Sequence, residues 1–110
     1  MANTHQSKIE LQVELDENKI PEKLSWTALD VGISNEDSKA ILLSVWDHKA
    51  KEALRIDLWT KDMPVDEMKL FFYQTLMAMS DTFNRATQDE KMTATMKDFC
   101  AYFAEKMELK

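Results

Sequence analysis

Apolar and polar residues alternate at the start of the chain. Ile9, Leu11, Val13 and Leu15 share one parity, and Lys8, Glu10, Gln12, Glu14 and Asp16 share the other. A period of two places these sets on opposite faces of a half-buried strand beginning at Lys8. Residues 17–19 make a polar turn, and Pro21, which has no amide donor, is expected to end any ladder. A second strand follows over 22–29, with Leu24, Trp26 and Ala28 on one face and Lys23, Ser25 and Thr27 on the other. Residues 30–38 hold the single glycine, Gly32, and end in a run of polar residues, which reads as a loop.

The pattern then changes. Residues 39–47, KAILLSVWD, are apolar at both parities: Ala40, Leu42 and Trp46 at one, Ile41, Leu43 and Val45 at the other. A fully covered central strand fits this best, although a short apolar run does not exclude a helix. Residues 47–52 form a charged hairpin loop. A fourth strand spans 53–60, with Leu54, Ile56 and Leu58 expected to face inward and Arg55 and Asp57 outward.

From Pro64 the spacing lengthens to three and four. Val65, Met68, Phe72, Leu76, Met79 and Phe83 mark one face of a long helix ending near residue 85 or 86. Proline suits the first helical position, and Asp66 and Glu67 suit the positive end of the helix dipole. Thr87, Gln88, Asp89 and Glu90 match a capping box in which Thr87 starts the next helix. That second helix carries Met92, Met96, Phe99, Phe103 and Met107 as one stripe. Four strands followed by two helices argue for an α+β domain: a four-stranded antiparallel sheet with both helices packed on one face. Residues 1–7 form a disordered polar start, and residues 8–110 a single domain.

Two features ask for additional burial. Phe71, Phe72 and Tyr73 are adjacent in the first helix, and neighbouring helical residues point about 100° apart. With Phe72 in the core stripe, Phe71 and Tyr73 are left for a second surface. In the third strand, if Leu42 and Trp46 meet the helices, Ile41, Leu43 and Val45 need another cover. Exposed apolar patches of this kind mark interaction sites. The expectation is a protein partner or a homo-oligomer bound through Ile41, Leu43, Val45, Phe71 and Tyr73.

Composition narrows the class. The 110 residues suit one domain with a real core. A net charge of −6 opposes nucleic acid and anionic membranes, both of which need basic patches. One cysteine, Cys100, excludes an intrachain disulfide. No apolar leader opens the chain and no run approaches the roughly 20 apolar residues of a membrane span, so a cytoplasmic protein is expected.

Little points to chemistry. A single glycine excludes a glycine-rich phosphate loop. His5 and His48 lack metal-ligand spacing and read as surface residues. Cys100 sits beside the apolar stripe of the second helix and reads as a small core residue. The carboxylates of Asp57, Asp62, Asp66 and Glu67 cluster in sequence around the strand–helix turn, where helix-end electrostatics account for them. No cofactor, metal or catalytic residue is expected. Eight methionines, mostly in the helices, and the three tryptophans Trp26, Trp46 and Trp59 suit core packing or adaptable interfaces.

The segments PEKLSWTA (21–28), SKAILLSVWD (38–47), 54–83 with its DLWTKDMPVDEMK turn, and DFCAYFAEKM (98–107) together resemble the GldC family of gliding motility proteins of Bacteroidota-type bacteria. The resemblance implies a small cytoplasmic accessory protein of gliding motility, tied to cell-envelope export and motor machinery. It implies no enzyme activity, cofactor or catalytic residue. The order of strands and helices is also similar to that of the export chaperone SecB, a likeness of fold order alone. The alternatives are therefore a SecB-like chaperone for unfolded exported clients or, in another class, an enzyme using the Asp57–Glu67 carboxylates.

Overall fold

The computed structural model describes residues 4–109; residues 1–3 of the polar start, and residue 110, lie outside the described residues. The chain forms two compact units, Met1–Met63 and Pro64–Lys110. The first is all β and the second all α, so the class is α+β.

The β unit contains β1 (Glu10–Leu15), β2 (Pro21–Ala28), β3 (Ile33–Ser38), β4 (Ala40–Asp47) and β5 (Glu52–Trp59). They form two antiparallel sheets, β1-β2-β3 and β4-β5, rather than one four-stranded sheet. The additional strand is β3, which sequence reading takes for a loop. Its residues are polar because it lies at a sheet edge, where backbone pairing with β2 needs no apolar side chains. Gly32 makes this possible. It takes φ +77°, closes a short 3-10 turn at Leu29–Val31 and lets the chain fold back on β2.

Pro21 starts β2 instead of ending a ladder, a position where its missing donor costs nothing. Its carbonyl accepts a hydrogen bond from the Lys61 amide at 3.3 Å. Leu24 and Ala28, on the face expected for them, supply the buried apolar core of this unit. Trp26 between them is half-buried.

The β1–β2 turn is held by one carboxylate. Asp16 Oδ1 accepts from the amides of Asn18 (2.8 Å) and Ile20 (3.0 Å), and Oδ2 accepts from Lys61 Nζ at 2.9 Å. The Ile20 amide, and then the Lys61 ammonium, hold the Asp16 carboxyl below its ordinary range. The same contact raises the Lys61 ammonium above its ordinary range.

β4 is not a covered central strand. Among the described residues it pairs only with β5, giving a two-stranded ribbon. Apolar side chains of β4 are exposed at both parities, Leu42 and Trp46 at one and Leu43 and Val45 at the other. A two-stranded ribbon is marginal in water by itself, so this pair needs further packing.

The α unit is a helix hairpin of α1 (Val65–Thr87) and α2 (Glu90–Lys106). Thr93 Oγ1 donates to Asn84 Oδ1 (3.2 Å), and Lys97 pairs with Asp81 (3.0 Å), so the helices run antiparallel. Small residues make close approach possible: Ser80, Thr93 and Cys100 are buried. The Ser80 hydroxyl, which would otherwise be unpaired in the seam, donates to the Met77 carbonyl at 2.7 Å.

The connection differs from a Thr87 capping box. Thr87 is the last residue of α1, Gln88 turns left-handed (φ 56°), and Asp89 caps α2 by accepting from the Met92 amide at 3.0 Å. Once Gln88 is used to end α1, the first residue free to start α2 is Asp89.

Candidate functional site

The β4–β5 register creates the most distinctive surface of the β unit. Ile41 stands across from Leu58, Leu43 from Ile56 and Val45 from Leu54. Directly opposed residues share a face, so these six aliphatic side chains form one contiguous stripe. Leu43, Val45, Leu54 and Ile56 remain 36%, 52%, 53% and 52% exposed. The stripe presents on the order of 400 Å2 of apolar surface, the size of the largest patch on a typical monomer, which is often functional. Covering it would be worth about 10 kcal/mol before entropic costs.

Ile41, Leu43 and Val45 are thus brought together as expected from their parity. Leu54, Ile56 and Leu58, read from sequence as inward-facing, join them on the open face. The register decides this: Asp47 pairs with Glu52, which sets Val45 against Leu54 and fixes every pair beyond. The opposite face carries Leu42, Ser44, Arg55 and Asp57, with Trp46 and Trp59 exposed at its ends. Arg55 and Asp57 pair there at 3.3 Å.

Phe71 and Tyr73 lie on α1, in the other unit, and are half-buried. Phe72, between them, is the exposed one, and it meets Phe71 edge-on with ring centroids 6.4 Å apart.

The carboxylates near the strand–helix turn have separate partners. Asp57 pairs with Arg55, and Asp62 accepts from the Thr60 hydroxyl at 2.6 Å. That hydrogen bond lowers the Asp62 carboxyl, the opposite of what a general acid at neutral pH requires. Asp66 and Glu67 occupy the first turn of α1. A polar cleft of about 400 Å3 in the β unit is lined by Glu14, Glu22, Asp37 and Asp62 with Lys23 and Lys39. Among the described residues, no three His, Cys, Asp or Glu side chains are grouped to hold a metal. His5 and His48 are exposed, and Cys100 is buried as a free thiol. No helix among the described residues is long and apolar enough to cross a membrane.

A comparison with curated proteins finds no match, and neither does a comparison with solved structures. The model of one family, described as gliding motility-associated protein GldC-like, matches residues 21–109. The match starts at the first residue of β2, takes in the whole β4–β5 ribbon and extends through both helices. By this match over most of its length, the chain belongs to the GldC-like family of gliding motility-associated proteins.

Proposed function

We propose that the chain is a non-enzymatic cytoplasmic accessory or assembly protein of gliding motility. It acts by protein–protein binding and itself forms a homo-oligomer. The observation that carries this reading is the six-residue aliphatic stripe of β4 and β5. Its side chains bear no group that could act on a substrate, and open apolar area of this size is a docking surface. The partner is a protein of the gliding or export machinery that offers a complementary apolar face.

The test is crosslinked affinity capture from the native cells, comparing the natural chain with Ile41→Ser/Val45→Ser. Recovery of envelope or export components, lost in the double variant, supports the reading. Equal recovery by both forms removes the ribbon as the binding surface.

A SecB-like holdase is the second reading, favoured by exposed Trp46, Trp59, Met79 and Met92, which suit adaptable contact with varied clients. It requires that denatured protein stay soluble at up to equimolar amounts of this chain. Unchanged aggregation would remove it.

A further inference from the structure

The helix hairpin carries a second apolar face of a different kind. On α1, Val65, Phe72 and Met79 recur every seven residues and are all exposed; on α2, Met92 and Phe99 do the same. Seven residues amount to almost two full turns, so each set forms a narrow stripe parallel to its helix axis. The two stripes lie on one side of the hairpin. Met79 immediately precedes the buried Ser80, and Phe99 immediately precedes the buried Cys100. Phe72 and Met92 stand eight residues before the same two positions. Equal offsets from the contact line, in helices running antiparallel, point the same way. The pairing of Asn84 with Thr93 and of Asp81 with Lys97 sets Met79 level with Phe99.

We propose that a second copy of this chain packs on this face, stripe against stripe, to make a four-helix bundle. The inference rests on the self-association in the preceding reading and names its interface. Three observations select the occupant. The spacing of seven is one that a helix–helix seam uses, so a helical cover fits it. The face is a pair of antiparallel stripes, and what matches it in length and direction is another antiparallel hairpin related by a two-fold axis. The next position of the α2 stripe is Lys106, whose ammonium lies over the Tyr102 ring at 5.6 Å, so the α2 stripe is apolar from Met92 to Phe99 and carries its charge at one end.

The area also fits. Val65, Phe72, Met79, Met92 and Phe99 are 69%, 43%, 55%, 49% and 51% exposed. With the half-buried Leu76, Phe83, Met96 and Phe103 beside them, they offer on the order of 700 Å2. A stable interface takes about 800 Å2 from each partner.

Light-scattering mass and sedimentation across a concentration series test this on the full chain. The expected result is twice the 12.8 kDa chain mass, falling to the single-chain mass in Phe72→Lys/Phe99→Lys with far-UV helicity retained, and staying doubled in Ile56→Lys. A single-chain mass for the natural protein at every concentration overturns the proposal. So does a dimer that survives the Phe72/Phe99 double variant with its helices intact. If that variant unfolds, Met79→Ser/Met92→Ser takes its place: its dimer dissociation constant should rise at least tenfold, and an unchanged constant overturns the proposal. Partner capture that persists in a single-chain protein removes only the dimer. A dimer that captures no partner removes only the accessory reading.

Discussion

Leu43 stands directly across from Ile56 in the β4–β5 ribbon, and both side chains face solvent. Two aliphatic residues paired at the centre of an exposed face are costly for a chain that acts alone. Under the proposed function they form the centre of the docking surface.

Replacing Ile56 with lysine tests this directly. The position is 52% exposed, so little native packing is lost and thermal stability should change by less than about 1 kcal/mol. Partner recovery by affinity capture should fall at least tenfold, because an ammonium at the centre of an apolar interface is left unpaired. A large drop in stability with normal capture would assign the stripe to the chain's own core.

Asp16 and Lys61 predict a pH window. The Asp16 carboxyl is lowered from its ordinary value of 3.8, so its contribution is present above that value and lost as pH falls through the folded value. The Lys61 ammonium is raised from its ordinary value of 10.5, so its contribution is present below that value and lost as pH rises through the folded one. Between these limits the natural chain should melt higher than Asp16→Asn. The gap should close in strong acid, as measured by thermal melts across pH. An acid-independent gap would show that the carboxylate charge is irrelevant.

Ser80 sits in the seam of the helix hairpin with no exposed surface. Ser80→Leu should destabilise the α unit by about 1–3 kcal/mol through overpacking, as read by chemical denaturation. Ser80→Ala should be much milder, since its hydrogen bond is local to α1. Comparable losses in both would mean that the hydroxyl, not the close approach, matters.

Asp89, rather than Thr87, caps α2. Asp89→Ala should cost about 0.5–2 kcal/mol by removing the acceptor for the Met92 amide. Thr87→Ala, which removes bonds to the Phe83 carbonyl and from the Asp89 amide, should cost less. Denaturant midpoints of the two variants decide the order.

The periodicity of the chain, by itself, determined the class and most of the elements. Alternation marked β1 and β2, the apolar run at 40–47 marked β4, and the spacing of three and four marked both helices. These signals are local: each needs only the angle between successive side chains. The resemblance of residues 21–28, 38–47, 54–83 and 98–107 to the GldC family was also legible, and the family match agrees with it.

The tertiary structure decided what depends on partners distant in sequence. β3 was invisible because an edge strand is specified by the backbone of β2, not by its own side chains. The division into two sheets was invisible because β4 has the same composition whether another strand or nothing lies beside it. The joining of Leu54, Ile56 and Leu58 to Ile41, Leu43 and Val45 required a register, which couples two strands at once. Side-chain pattern tells how a residue is oriented along its own element; only pairing tells what stands opposite it, and in this protein the candidate site is made of such pairs.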